Sequence, residues 1–167
     1  MFFIWEETVS IVEGKLNEMG LSLPPAPSPM ANYVPAVITG NLVFLSGHIP
    51  RNVDGTVITG KLGSNFSVDQ GKEVAQKVTL ALLASLKQAV GDLDRISRVV
   101  RVSCMVNATD EFTDHPAVAN GASDLLVSIF GDIGMHTRAA TGMGSLPAGV
   151  PVEIDMIVEI SDDPRFG

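Results

Sequence analysis

The chain has 167 residues, 46% hydrophobic and 18% charged, which is typical of a globular protein with one core. Its net charge of −8 at pH 7 disfavours binding to nucleic-acid phosphates, and no run of Lys or Arg offsets it. No apolar run approaches the roughly 18 residues that a membrane-spanning helix needs. The apolar start, residues 1–5, is too short for a secretory signal and is followed by two glutamates, so we expect a cytoplasmic protein.

An amphipathic helix is predicted near the N-terminus and ends at Gly20. Four apolar residues recur there at helical spacing: Val9, Val12, Leu16 and Met19. The next stretch, residues 23–29, contains four prolines, which exclude a helix or an inner strand. It is therefore predicted to be an extended connector.

Short strands follow the connector. Residues 34–39 and 42–46 are rich in β-formers, and the dipeptide Gly40-Asn41 between them is typical of a hairpin turn. A third short strand is expected before a long helix, which begins after the N-cap residue Ser67 and ends near Val90.

The second half of the chain predicts a strand from Val99 to Val106 and a helix from Pro116 to Phe130. Two last strands, 138–146 and 152–160, are predicted to form a hairpin around a turn rich in Pro and Gly. The order indicates an α+β fold, in which two helices cover one face of a sheet. We expect one domain at 31–161, preceded by the helix and connector at 1–30 and followed by a tail at 162–167.

Arg138 is the first candidate for a ligand-binding residue. The residues after it are small, which leaves room beside its guanidinium: Ala139, Ala140, Thr141 and Gly142. A guanidinium presents a planar fork that matches a carboxylate, so a small anion is the predicted ligand. The alternative is a structural ion pair with one of three acidic residues: Asp132, Glu153 or Asp155.

Glu153 follows in the last predicted strand, where the expected hairpin could bring it near Arg138. A carboxylate in a pocket can hold and activate a water as a general base. The alternative is an ordinary solvent-facing residue, because Asp155 and Glu159 share its side of the strand.

The histidines, Ser46 and Cys104 do not form a pattern typical of a metal site or a catalytic nucleophile. His48, His115 and His136 form no pair at metal-ligand spacing, so no metal site is predicted. Ser46 lacks the surroundings of a hydrolase nucleophile, and Cys104 alternates with valines as a buried apolar residue would.

Two further positions leave alternatives open. The Asn120-Gly121 pair is unfavourable inside a helix, so it reflects either a packing or ligand requirement or a tolerated surface pair. Tyr33, the only tyrosine, could line a pocket or seal the edge of the core.

Taken in order, the segments of this chain resemble the reactive intermediate deaminase (Rid) family, also called the YjgF or L-PSP family. The resemblance runs from about Ala31 to Ile160. It is carried by these segments: Asn32–Val37, Gly40–Pro50, Val118–Asn120, Thr137–Ala140, Leu146-Pro147 and Val152–Asp155.

The resemblance implies a chorismate-mutase-like fold, a homotrimer with clefts between subunits, and hydrolysis of imines and enamines to 2-oxo acids and ammonia without a cofactor. It also implies that Arg138 grips the carboxylate of the imine or enamine substrate and that Glu153 holds the attacking water. The remaining substrate-binding positions implied by the resemblance are Tyr33, Ser46, Asn120 and Ala140.

The chain departs from the family at two positions. Ala140 stands where a cysteine is common, but the family's contact there is made by the backbone, so activity is expected to survive the change. Gly121 stands where an aromatic residue is common, so a larger cleft and a bulkier substrate are expected. The alternative function is a non-catalytic protein that binds a small carboxylate, such as a metabolite sensor. The family's endoribonuclease label is disfavoured by the net charge of −8.

Overall fold

The computed structural model describes residues 10–28 and 32–161, and the predicted positions of Val9 and of the tail at 162–167 lie outside them. Three α-helices and five strands follow one another within these residues, with three short 3-10 helical turns between them. They are α1 (Ile11–Glu18), β1 (Ala36–Thr39), β2 (Leu42–His48), α2 (Val68–Val90), β3 (Ile96–Asn107), α3 (His115–Phe130), β4 (Thr137–Met143) and β5 (Val152–Ile160).

The five strands form one mixed sheet in the order β1-β2-β5-β3-β4. The predicted hairpin is confirmed: Thr39 pairs with Leu42 across Gly40-Asn41, and Gly40 has the positive φ of 57° that this turn requires. Strands β3 and β4 are parallel, and every other neighbouring pair is antiparallel.

Two predictions about the strands are wrong. The expected third short strand before α2 is absent from the described residues, which hold only isolated bridges there: Arg51 with Val57, and Leu62 with Phe66 and with Ala108. Strands β4 and β5 do not form a hairpin, because β3 lies between them. Helix α3 carries the chain back along β3, so β4 joins β3 in parallel, as a crossover connection requires.

Helices α2 and α3 pack on one face of the sheet, as predicted. Helix α2 begins with a capping box, in which Ser67 and Gln70 satisfy each other's backbone N–H groups, and ends at Gly91 with φ 87°. The core residues of β5 alternate: Val152, Ile154, Met156, Val158 and Ile160 are buried toward the helices. The residues between them lie on the open face of the sheet.

Helix α1 packs against the main body. The carboxylate of Asp94 accepts hydrogen bonds from the Ser10 hydroxyl and from the first backbone N–H groups of α1. Val12 and Leu16 are buried in the same core as α2 and α3. Within 10–28 and 32–161, none of the helices combines the length and the apolar character needed to span a bilayer.

Candidate functional site

Arg138 lies on the edge strand β4, beside Val102 of β3, and its side chain is on the helix-covered face. It is exposed to solvent. Its Nη1 donates to Oδ1 of Asn120 at 2.8 Å and to Oγ of Ser123 at 3.0 Å, both in α3. Two uncharged oxygen atoms therefore accept hydrogen bonds from Nη1, one of the three nitrogens of the guanidinium.

The remaining nitrogens of Arg138 have no protein partner among the described residues. No acidic side chain of that part of the chain lies within ion-pair distance of the guanidinium. The alternative of a structural ion pair with Asp132, Glu153 or Asp155 is therefore wrong. The guanidinium keeps an uncompensated charge and two free nitrogens, Nε and Nη2, at the surface.

Ser123 and His136 were not predicted as site residues, but they lie with Arg138 and Asn120 in one hydrogen-bonded cluster, the arginine group. His136 Nε2 lies 2.9 Å from Oγ of Ser123, and its Nδ1 lies 2.7 Å from the carbonyl oxygen of Gly134. The spacing of Asn120 and Ser123, three residues apart on a helix, is the signal that could have placed both on one face.

Glu153 lies on the open face of the sheet, between Met105 of β3 and the end of β2. A β-bulge between Leu45 and His48 turns Gly47 toward it, and a Cβ atom on residue 47 would overlap Glu153 Oε1. The side chain is half-buried. Burial raises the pKa of the Glu153 carboxyl, and the negative charge of Asp155 raises it further.

A single chain does not bring Arg138 and Glu153 together. They lie two strands apart and are offset by three residues along the sheet, which separates their Cα atoms by about 14 Å. Their side chains also lie on opposite faces. The expectation that a β4–β5 hairpin would join them is wrong.

The other predicted substrate-binding residues divide between these two places. Asn120 binds Arg138 directly, and Ala140 lies two residues along β4 on the same face, paired with Cys104. Ser46 lies in the bulge beside Gly47, where its Oγ donates to the carbonyl oxygen of Val34 at 2.7 Å. Tyr33 precedes β1 and is 49% exposed. The chain thus carries an arginine group at the β4 edge and a glutamate group near the β1–β2 side.

His48 and Cys104 are both buried in the core. His48 is buried at the end of β2, where its Nε2 lies 2.7 Å from Ser85 Oγ and its Nδ1 lies 2.8 Å from the Ser46 carbonyl oxygen. Burial lowers its pKa. Burial likewise raises the pKa of Cys104 to about 12, so the thiol stays protonated as the apolar interpretation predicted. No group of three metal-type ligands occurs among the described residues.

Gly121 serves helix packing and does not enlarge a cleft. It is buried against α2, where a Cβ atom would overlap the carbonyl oxygen of Lys72. The packing explanation of the Asn120-Gly121 pair is therefore correct. The expectation of a larger cleft and a bulkier substrate is wrong in its premise, because residue 121 faces the other helix.

Two surface cavities lie beside the proline-rich connector and not at the predicted residues. One of about 610 Å³ lies between α1, the connector and α2, and the other, of about 320 Å³, lies between the connector, β1 and α2. Neither is lined by Arg138, Glu153 or Asn120. Neither cavity therefore encloses Arg138.

Comparison with known proteins relates this chain to one family. The model of the family described as "YjgF/chorismate mutase-like, putative endoribonuclease" matches residues 13–156. Protein TCP17 of Trypanosoma cruzi is 41% identical over 152 residues, which cover 90% of this chain and 95% of that protein. A 2-iminobutanoate/2-iminopropanoate deaminase of Dermatophagoides farinae is 30% identical over 141 residues, covering 84% of this chain and 94% of the deaminase.

A solved structure shows the same fold. The crystal structure of protein Atu1372 of Agrobacterium tumefaciens, a protein of unknown function, superimposes with a TM-score of 0.84 at 42% identity. The match covers 90% of this chain and 93% of that chain.

Proposed function

The chain belongs to the YjgF/chorismate-mutase-like family, and we propose that it is an imine and enamine deaminase. The substrates are 2-imino and 2-enamino acids, and the products are 2-oxo acids and ammonia. The similarity to a protein named as a 2-iminobutanoate/2-iminopropanoate deaminase supports this activity. The location of the protein in the cytoplasm stays a prediction from the sequence.

The observation that carries the proposal is the state of Arg138. Its guanidinium is exposed, has no carboxylate partner among the described residues, and is held in place by Asn120 and Ser123. An exposed arginine that is held in position and has no carboxylate partner is suited to bind the carboxylate of a small acid through two parallel N–H···O bonds.

Glu153 supplies the second half of the chemistry. Because burial raises the pKa of its carboxyl, the ionised form is a better proton acceptor than an ordinary exposed glutamate. It would take a proton from water as the water oxygen bonds to C2 of the imine, which turns the C=N bond into a C–N single bond. The nitrogen takes up this proton to give the carbinolamine. The hydroxyl proton then passes to nitrogen as the C–N bond breaks, which forms the C=O bond and releases ammonia. No oxidant or reductant is consumed.

The distance between the two groups bears on assembly. A 2-imino acid has its carboxylate bonded directly to C2, so Arg138 and Glu153 cannot both reach one substrate from about 14 Å apart on opposite faces. We therefore include a homotrimer in the proposal, with the arginine group of one subunit facing the glutamate group of the next. The open face of β1 and β2 exposes Val37 and Phe44, which a neighbouring subunit would cover.

The activity is tested by generating imines in place with an amino-acid oxidase and following release of 2-oxo acid. Wild type, Arg138→Ala and a protein-free control are run with a panel of amino acids. Acceleration by wild type alone supports the deaminase. If folded wild type accelerates no reaction but still binds 2-oxo acids, the protein is a carboxylate-binding protein and the proposed catalysis is wrong.

The shared site is tested by complementation. Arg138→Ala and Glu153→Ala are each expected to be inactive, but co-expression mixes them within one oligomer. With random assembly, half of the subunits offer Arg138 and half of their neighbours offer Glu153, so about a quarter of the sites regain both residues. Recovery of about a quarter of wild-type activity supports sites between subunits, whereas no recovery contradicts them.

A further inference from the structure

A hydrogen-bonded chain fixes the guanidinium of Arg138 from the side that faces α3. Nη1 of Arg138 donates to Ser123 Oγ at 3.0 Å, and Ser123 Oγ lies 2.9 Å from His136 Nε2. His136 Nδ1 lies 2.7 Å from the carbonyl oxygen of Gly134, a buried residue at the turn before β4. These hydrogen bonds thus connect the guanidinium of Arg138 to the backbone of Gly134.

When the imidazole of His136 is neutral, only one assignment of donors and acceptors fits these hydrogen bonds. A carbonyl oxygen can only accept, so Nδ1 of His136 carries the proton and Nε2 is the acceptor. The Ser123 hydroxyl must then donate to Nε2, which leaves its lone pairs for Nη1 of Arg138. His136 therefore sets the orientation of the Ser123 hydroxyl that receives the arginine.

The same contacts occupy both hydrogens of Nη1. One goes to Asn120 Oδ1 and the other to Ser123 Oγ, so no donor on this nitrogen remains for a ligand. The N–H groups of Nε and Nη2 point along one edge of the guanidinium and have no partner among the described residues. A carboxylate can approach this edge with both oxygens at once.

We propose that Ser123 and His136 are positioning residues, which hold Arg138 so that it binds the substrate carboxylate only through Nε and Nη2. The inference rests on the proposed binding of a 2-imino or 2-oxo acid at Arg138. It adds two residues to the site, one on α3 and one before β4, neither of which touches the substrate.

The first test measures binding of 2-oxobutanoate by calorimetry, which does not require turnover. Ser123→Ala removes one hydrogen bond to a charged group and is expected to weaken binding about 10-fold or more. Ser128→Ala is the matched control, because Ser128 is an exposed serine of α3 whose Oγ donates to the Asp124 carbonyl oxygen and not to Arg138. Ser123→Thr, which keeps a hydroxyl, is expected to restore most of the affinity.

The role of His136 is tested by His136→Phe, which keeps a ring but offers no acceptor. We expect weaker binding than wild type, but less loss than in Ser123→Ala. Binding equal to wild type in either Ser123→Ala or His136→Phe would remove that residue from the proposal. An equal loss in Ser128→Ala would show that α3 tolerates no serine replacement and would overturn the specific role.

A second test needs no ligand and therefore separates this inference from the proposed function. Nuclear magnetic resonance of arginine side chains reports how fast the guanidinium rotates about its C–N bonds, and Arg138→Lys identifies the Arg138 signals. Rotation about Cζ–Nη1 is expected to be slow in wild type and faster in Ser123→Ala. Fast rotation in wild type would overturn the inference, even if the protein proved an active deaminase.

Discussion

Gly47 in β2 lies directly against the carboxylate of Glu153 in β5, so that a methyl group at position 47 would overlap Oε1. This contact exists because a bulge in β2 inserts an extra residue opposite β5. The glycine therefore gives the glutamate its place on the open face of the sheet. The same bulge carries Ser46, which the family resemblance also assigns to the site.

Replacement of Gly47 by alanine should impair catalysis with little effect on folding. The added methyl group must displace the Glu153 side chain, which can swing toward solvent. We expect kcat to fall about 10- to 100-fold, which is part of the roughly 100- to 10,000-fold that a general base contributes. Gly144→Ala is the control, because a Cβ atom there meets nothing within 4 Å. Steady-state kinetics of both variants decide the matter, and unchanged kcat in Gly47→Ala would contradict it.

Replacement of Arg138 by lysine should separate charge from shape. Lysine keeps the positive charge but not the fork, so kcat/KM is expected to fall about 100-fold. Because Arg138 has no ion pair among the described residues and its two hydrogen bonds to α3 are exposed to solvent, the free energy of unfolding should change by less than about 1 kcal/mol. Arg101→Lys, on the neighbouring strand, is the control. A large loss of stability in Arg138→Lys would indicate a structural role instead.

The pH profile should depend on Asp155. Burial and the Asp155 charge both raise the pKa of Glu153, so the ionised base is lost at a higher pH than for an ordinary glutamate as the medium is acidified. Asp155→Asn removes the charge and should move the acid limb of kcat to lower pH. The ratio of variant to wild type, after subtraction of spontaneous hydrolysis, should therefore increase as the pH falls. A constant ratio would contradict the coupling between the Asp155 charge and the titration of Glu153.

Two glycines in helices should respond oppositely to alanine. Gly121→Ala forces a methyl group against the Lys72 carbonyl oxygen between α2 and α3, and we expect a loss of about 1–3 kcal/mol or more in unfolding free energy. Gly14→Ala in α1 meets nothing within 4 Å and should stabilise by about 0.5–1 kcal/mol. Urea unfolding of both variants measures these changes. Equal effects would show that helix propensity, and not packing, dominates at residue 121.

The local elements follow closely from the sequence. The predicted strand at 152–160 coincides with β5, and α2 runs from the N-cap at Ser67 to Val90 as expected. These features depend on neighbouring residues: alternating burial, a side chain that caps a helix, and a glycine that accepts positive φ. Such interactions are visible within a few positions of the chain.

Sequence alone therefore determined most of the elements, the fold class and the identity of Arg138 and Glu153 as the charged pair to consider. It did not determine their arrangement, because adjacency in a sheet depends on which strands α3 connects and not on distance along the chain. Only the tertiary structure placed β3 between β4 and β5, and the register of each strand on β3 set the two charges on opposite faces. It also decided what Gly121 and Ser123 do, because each acts through a contact with a residue that the sequence sets far away.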